Sequence, residues 1–199
     1  MMQKISNIES ARVKIEGIAP LIMHNGQLAD PTNPHSMQLK ELSRKRKKTD
    51  QDHLDMKKVE FIGGLYHDPQ TGPYLPDLWI EKNIRDGAAA FKQGKLILSG
   101  VQVEEQKVPL LYDGPRDIEN LYADGRFVDT RGVVVQRSRI MRTRPIFPTW
   151  SAAFTVNVIT SVISSKDVRR ALEQGGLFVG VGDYRPKFGR YRVIEFKVV

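Results

Sequence analysis

The last third of the chain carries a strand–helix–strand–strand pattern, and this feature restricts the possible folds more than any other. Residues 151–159 alternate apolar with small or polar side chains, which is typical of a strand with one buried face. Residues 165–174 place apolar side chains at helical spacing, and a pair of glycines follows as an expected stop. Further strands are predicted over 177–181 and 189–198.

Earlier segments extend this pattern. Alternation over 11–18 predicts another half-buried strand, and Asp77 is placed to cap a helix that ends near Gly94. Short apolar strands are predicted over 96–103 and 108–112. Together the segments predict an α+β fold with a ferredoxin-like or modified RNA-recognition-motif (RRM) core, in which an antiparallel sheet has its helices on one face.

The rest of the chain is interpreted as insertions into that core. We expect one RRM-like domain over 1–199, with insertions at about 19–58 and 95–148. The first insertion begins with a proline-rich loop and continues into two helices separated near Thr49. The second is expected to contain an inserted hairpin or thumb.

Composition excludes several classes of protein. The chain has no cysteine, so disulfide scaffolds, thiolate metal sites and cysteine nucleophiles are excluded. The N-terminus has no apolar signal segment, and the longest apolar stretches are too short and polar to cross a bilayer. We therefore expect a cytoplasmic protein with no membrane segment, located in the host cytoplasm if a phage encodes it.

Positive charge is concentrated in short windows. There are 31 lysines and arginines against 23 acidic residues, a net charge of +8. The windows 44–48, 131–144 and 185–192 contain cations and no acidic residue. Such concentration favours a polyanionic partner. The cations predicted to bind nucleic acid are Arg44, Lys45, Arg46, Arg131, Arg137, Arg139, Arg142, Arg144, Arg185, Lys187 and Arg190.

The mid-chain arginines lie in a segment that is predicted to be extended. Alternate residues then share a face, which pairs Arg137 with Arg139 and Arg142 with Arg144. Each pair can bridge neighbouring phosphates through the guanidinium fork, although a solvated edge strand guarded by arginines is the alternative. Two aromatic residues follow that could stack on bases, but for which we favour core packing: Phe147 and Trp150.

A glycine-rich segment precedes the last strand. Gly180 and Gly182 permit positive φ and a close backbone approach, so exposed amides here can bind phosphate oxygens. The pattern matches neither a Walker loop nor a dinucleotide fingerprint. A tight turn without a ligand remains the alternative.

Evidence for catalysis is limited to the first loop, which contains His24 and Asp30. A general acid–base role is conceivable for them, but an isolated loop histidine is more often structural. The four histidines show no metal-ligand spacing. We expect no cofactor and no metal, and we favour a protein without enzymatic activity.

Several of these segments resemble the RAMP superfamily, and more narrowly the backbone subunits of CRISPR effector complexes, in the form of a small phage or prophage member. The similar segments are the strand and loop over 13–26, Leu75-Pro76-Asp77, Arg142-Thr143-Arg144-Pro145, the glycine-rich stretch 175–182, and the segments 183–186 and 189–191.

This resemblance implies a subunit that polymerises head to tail along single-stranded nucleic acid and holds its backbone without reading sequence. It adds His24, Asn25, Gly180 and Gly182 to the predicted binding residues. Some relatives cleave bound RNA with an aspartate in the first loop, a position that Asp30 matches.

The leading hypothesis is therefore sequence-independent binding of single-stranded RNA or DNA by a backbone-like subunit that forms helical filaments as a homo-oligomer, with CRISPR-type effector subunits as possible partners. Two alternatives stay open at this point. One is an endoribonuclease of the RAMP type that uses His24 and Asp30. The other is an anti-CRISPR protein that mimics an effector backbone subunit.

Overall fold

The structure is a computed structural model that describes residues 7–135 and 138–199. Within these residues the strands are β1 (Ile8–Gly17), β2 (Leu21–Ile22), β3 (His67–Asp68), β4 (Gly72–Pro76), β5 (Val101–Val103), β6 (Lys107–Pro109), β7 (Val128–Val135), β8 (Ser138–Phe147), β9 (Ser151–Ile159) and β10 (Tyr191–Val198). The α-helices are α1 (Pro34–Arg44), α2 (Asp50–Gly64), α3 (Asp77–Ala88), α4 (Gly94–Gly100), α5 (Ile118–Ala123) and α6 (Ser165–Gln174).

The described residues form two compact units. Unit 1 comprises residues 7–21, 74–113 and 149–199, and unit 2 comprises residues 22–73 and 114–148. The expectation of one domain with insertions at about 19–58 and 95–148 stays a prediction.

Unit 1 contains a four-stranded antiparallel sheet in the order β10-β1-β9-β5. Helix α3 lies between β1 and β5 in the chain, and α6 lies between β9 and β10. The order βαββαβ with this strand arrangement is the ferredoxin-like topology. The predicted α+β, ferredoxin-like fold class is confirmed.

The core of unit 1 follows from alternation along its central strands. Val13 and Ile15 of β1 are buried, as are Phe154 and Ala152 of β9, which pair with them. On the same side, α3 packs against α6 and contacts β5, while α6 contacts β10. Burial of each such large apolar side chain contributes about 1.5–3 kcal/mol.

The predicted strand over 177–181 is wrong, and the glycines before it do not stop the helix. The chain instead continues α6 into a π-helical turn, Gly175–Val179, closed by the Gly180 amide donating to the Gly175 carbonyl at 2.8 Å. A Cβ on Gly175 would lie 2.3 Å from Oδ1 of Asn83. The glycine therefore lets the two helical segments approach closely.

Two boundaries around α3 and α4 also differ from expectation. Pro76 is the N-cap of α3, and Asp77 is its first residue, where a carboxylate favours the helix dipole. The helix ends at Ala88, and Gly94 begins α4 where a strand over 96–103 was predicted. Only 101–103 is extended, because the segment before it buries Ile97 on one helical face.

A β-bulge in β10 changes which of its residues share a face. Glu195 pairs with Lys14 and Val193 with Ile15, so Ile194 is the extra residue. The sequence alternation placed Tyr191 and Val193 with Glu195 and Lys197. The bulge instead places Val193 with Phe196 on the core face.

In unit 2, α1 and α2 form a helical pair, and β7 and β8 form the predicted inserted hairpin. Thr49 caps α2 through a capping box with Asp52. The sheet order is β2-β8-β7, and Arg131 lies opposite Arg142 in the hairpin. Among residues 7–135 and 138–199, no helix combines the length and the apolar character that crossing a bilayer requires.

Candidate nucleic-acid interface

A cleft of about 560 Å³ in unit 2 brings together side chains from the first loop, from α1 and α2, and from both strands of the hairpin. His24 enters it from the first loop, Lys40 from α1 and Glu60 from α2, while Arg142 and Arg144 enter it from β8. Two segments predicted independently, the first loop and the mid-chain arginines, therefore line one cleft. We call it the basic cleft.

Apolar side chains form much of the wall of the basic cleft. Leu28, Leu39, Met56 and Val133 line it beside the cations. A mixed wall of this kind suits a nucleotide, whose base and sugar need apolar contact while its phosphate needs cations.

The mid-chain arginines of β8 lie on two different faces of the hairpin. Arg142 and Arg144 alternate with Thr143 and so share a face of β8 that lines the basic cleft. Arg139 is exposed on the opposite face, where its side chain lies 3.4 Å from the position of a Cβ on Gly132. Arg137 lies outside the described residues.

Arg131 is held by its own strand. Its Nε and Nη2 bind the two carboxylate oxygens of Asp129 at 2.6 and 2.5 Å. This bidentate pair neutralises the guanidinium locally, which leaves Arg131 less available to a phosphate than its position suggests.

A buried acid that the sequence analysis missed holds Arg142. The Glu60 side chain is 8% exposed, its Oε1 is paired with Nη1 of Arg142, and its Oε2 accepts from the Thr143 amide at 2.8 Å. Glu60 is therefore a positioning residue for Arg142. The available signal was an acid between Val59 and Phe61, inside an apolar run of the helix.

Asn25 anchors the first loop. Its Oδ1 accepts from the Gln27 amide at 3.0 Å, its Nδ2 donates to the Leu65 carbonyl at 3.2 Å, and its own amide donates to Gly64 at 3.0 Å. The side chain predicted to bind nucleic acid thus supports the backbone beside His24, which is itself exposed.

Asp30 closes a turn next to this loop. Its Oδ1 accepts from the amide and the hydroxyl of Thr32 at 2.8 and 2.7 Å, and these bonds hold the pKa of Asp30 below its ordinary value. The basic cleft is lined by His24 but not by Asp30. Asp30 therefore stabilises the turn at Thr32 and does not line the cleft with His24.

The basic residues at the end of α1 differ in whether they form an ion pair. Arg44 and Arg46 are exposed. Lys45 forms an ion pair of 2.5 Å with Asp52, and this contact, with the Thr49 amide, lowers the pKa of Asp52 to about 2. Lys45 therefore links the end of α1 to the start of α2.

The glycine-rich segment of unit 1 is a tight turn. Gly180, Gly182 and Gly189 have φ of 77°, 79° and 72°. A Cβ on Gly189 would lie 1.7 Å from the Val181 carbonyl oxygen, so only glycine fits there.

Five backbone amides of this turn already donate inside unit 1. Those of residues 180, 181, 184, 188 and 189 reach acceptors in or next to the turn. Phosphate contact at this turn therefore depends on side chains, and three of its cations are exposed: Arg185, Lys187 and Arg190.

Asn83 organises this turn, and sequence reasoning missed it as well. Its Nδ2 donates to the Gly175 and Gly180 carbonyls at 3.0 and 2.8 Å, and its Oδ1 accepts from the Tyr191 hydroxyl at 2.6 Å. Asn83 and Tyr191 are buried, and burial raises the pKa of Tyr191. The signal was an amide on the apolar face of α3, between Ile80 and Ile84.

Phe147 and Trp150 are 0% and 3% exposed, which confirms that both pack in the core. The Trp150 indole donates to the Ala19 carbonyl at 2.9 Å. These side chains are thus not placed to stack on bases.

The open face of the sheet in unit 1 also differs from an RRM platform. RRM sheets stack bases on aromatic side chains of their open face. Here the described residues of that face are aliphatic, polar or charged, and include Arg12, Lys14, Thr155 and Asn157. Base stacking on this face is therefore not available.

Across residues 7–135 and 138–199, no cluster of three or more histidine or acidic side chains has the arrangement to hold a metal ion. Two groups of candidate binding residues lie one in each unit: the basic cleft in unit 2 and the exposed cations of the glycine turn in unit 1. Arg44, Arg46 and Arg139 are exposed in unit 2 but do not line the cleft.

Comparison with known proteins gives a similarity of fold only. No protein-family model matches the sequence, and the search of curated proteins found no match. A chain in the cryo-EM structure of the Type III-B Cmr-beta bound to cognate target RNA is similar, with a TM-score of 0.54 and 12% identity. The similarity covers 96% of this chain and 61% of that chain, so this chain spans about three-fifths of its neighbour's length.

Proposed function

We propose that this chain binds single-stranded nucleic acid through its phosphate backbone, without reading sequence, and that RNA is the preferred strand. The observation that carries the proposal is the basic cleft, where His24, Lys40, Arg142 and Arg144 converge on an apolar wall. The structural neighbour belongs to an assembly bound to target RNA, which supports RNA over DNA.

Binding in this account is mainly electrostatic. The guanidinium groups of Arg142 and Arg144 contact phosphate oxygens, and the apolar wall packs against the sugar and base. Glu60 fixes the position of Arg142 and also removes part of its charge. Binding does not depend on base sequence, because the cations contact only phosphates and phosphate contacts carry no sequence information.

We further propose that the protein acts as a backbone-like subunit, in which copies assemble head to tail along one strand and each copy covers a short segment. The resemblance to CRISPR effector backbone subunits supports this assembly. Binding would then be cooperative along the strand.

Fluorescence anisotropy with labelled single-stranded RNA and DNA of one mixed sequence tests the proposal. We expect binding at low salt, and we expect an Arg142→Gln/Arg144→Gln variant to lower the salt-dependence slope by about 1.4, since each single-strand phosphate contact contributes about 0.7. The control is Arg169→Gln, which removes an exposed arginine from α6 in unit 1.

Circular dichroism of each variant establishes that it folds, and Lys40→Gln provides a second cleft variant that leaves the Glu60 pair intact. Absence of binding by the wild type at low salt contradicts the proposal. So does an unchanged slope in both cleft variants.

A further inference from the structure

The aromatic side chain of Phe178 in unit 1 is largely exposed and lies outside the buried core. Phe178 is 67% exposed, although phenylalanine is normally among the most buried residues. It lies in the π-helical turn Gly175–Val179, one residue after the less exposed Leu177. This exposure leaves the face of the ring available to a ligand.

The turn that carries Phe178 is held rigidly. Asn83, which is buried, donates to the carbonyls of Gly175 and Gly180 at the two ends of the turn. The Gly180 amide also closes the turn onto the Gly175 carbonyl at 2.8 Å. Phe178 is therefore presented from a fixed backbone and not from a loose loop.

Phe178 lines a shallow depression of about 580 Å³ together with Tyr184 and Arg185. Tyr184 has a φ of 57°, a backbone conformation that a non-glycine residue adopts only when its surroundings enforce it. Its ring meets Phe188 edge to face at 6.2 Å. The depression is thus lined by two aromatic residues and by an arginine.

Two carboxylates and one guanidinium line this depression, and further cations lie beside it. Its acids are Asp86 and Asp183. Burial alone would raise the pKa of Asp86, but the Lys82 ammonium and the Arg85 guanidinium hold it below its ordinary value. Arg185 lies 3.9 Å from the same carboxylate.

Asp86 is thus surrounded by three cations, and the exposed Lys187 and Arg190 add further positive charge along the segment. This pattern of an exposed ring beside cations complements a nucleobase and its phosphate.

We propose that Phe178 stacks on a nucleobase of the bound strand while Arg185 contacts the adjacent phosphate. This inference rests on the proposed function, and it adds a base-stacking site in unit 1 that is separate from the basic cleft. The ligand is an unpaired base of any identity, since every base has a π-face.

A thermodynamic cycle tests the inference. Phe178→Ala is compared with the wild type on a mixed-sequence single-stranded RNA and on an oligonucleotide of equal length whose sugars carry no bases. We expect Phe178→Ala to weaken binding of the RNA about thirtyfold, the middle of the range for loss of one stacked base, and to leave binding of the abasic strand unchanged.

Leu177→Ala is the matched control, because it truncates the neighbouring exposed apolar side chain on the same turn. Phe178→Trp, which keeps an aromatic face, should retain the wild-type affinity. Equal RNA affinities for Phe178→Ala and the wild type overturn the inference, and so does equal weakening on both oligonucleotides.

The same measurements distinguish failure of the proposed function from failure of the stacking site alone. If the wild type binds no oligonucleotide at low salt, the proposed function fails. If the wild type binds and the cleft variants weaken it while Phe178→Ala does not, only the stacking site fails. A Phe178→Ala variant that binds normally but assembles into smaller particles also overturns the stacking site, because it assigns the ring to a protein contact.

Discussion

The ion pair between Glu60 and Arg142 links the helix α2 to the arginines of the hairpin, and its energy can be measured. Glu60 is buried, whereas the Arg142 side chain is 42% exposed. Removing one partner of a fully buried pair costs about 3–5 kcal/mol, and solvent at Arg142 reduces this toward the value of about 2 kcal/mol for a hydrogen bond to a charged group. We expect Glu60→Gln and Arg142→Ala each to lower the free energy of unfolding by about 2 kcal/mol.

The double variant separates the pair from its surroundings. Because both substitutions break the same contact, we expect the double variant to lose about 2.5 kcal/mol, which leaves a coupling energy of about 1.5 kcal/mol. Urea unfolding followed by circular dichroism supplies the four free energies. The exposed pair of Arg169 with Glu173 on α6 is the control, with an expected coupling of about 0.4 kcal/mol.

A coupling energy below about 0.3 kcal/mol for Glu60 and Arg142 would refute the reasoning, because sites that do not interact are additive within that margin. It would mean that Glu60 serves only the Thr143 amide and does not position Arg142.

Four further predictions concern other parts of the chain. Asn83→Leu leaves the Tyr191 hydroxyl and the Gly180 carbonyl without their partner and removes one of two donors to the Gly175 carbonyl. We therefore expect urea unfolding to show a loss of about 3 kcal/mol, whereas a loss under about 1 kcal/mol contradicts the network. Gly189→Ala forces a Cβ against the Val181 carbonyl at positive φ, so its soluble yield or urea midpoint should fall sharply, while an unchanged midpoint contradicts the tight turn. The pKa of Asp52 is about 2 in the folded chain and ordinarily 3.8, so its contribution to stability is present above pH 4 and is lost as the pH falls toward 2. The difference in melting temperature between wild type and Asp52→Asn should therefore shrink between pH 4 and pH 2. A constant difference contradicts the Lys45 pair. Labelled RNA incubated with wild type or with His24→Ala/Asp30→Ala should stay intact in both, and cleavage by the wild type alone would favour the endoribonuclease alternative.

The fold was predictable from the sequence where local patterns agree with the tertiary structure. Alternation defined β9 over its full length, and apolar spacing defined α6 from its first to its last residue. In both segments one side of the element is buried and the other is exposed, so periodicity reports the fold directly.

Elements that depend on distant contacts were not predictable in the same way. The run Leu177–Val181 is apolar and short, and its first part lies in a π-helical turn that distant Asn83 holds through the carbonyls of Gly175 and Gly180. The bulge at Ile194 is set by pairing with β1, which alternation within β10 does not record.

The candidate site shows the same division. A concentration of arginines over 131–144 was visible in the sequence, and the pairing of Arg142 with Arg144 on one face follows from strand geometry. The partners that restrict these arginines were not visible, because Glu60 is 82 residues from Arg142. Asp129 lies only two residues from Arg131, and that contact could have been inferred from the alternation.

Ultraviolet crosslinking of the wild-type protein to single-stranded RNA, followed by mass spectrometry of the crosslinked peptides, tests the basic cleft most directly. We expect crosslinks on peptides from the first loop around His24 and from β8 around Arg142 and Arg144, and we expect their yield to fall as salt rises. Crosslinks that avoid both segments while the protein binds RNA would contradict this expectation.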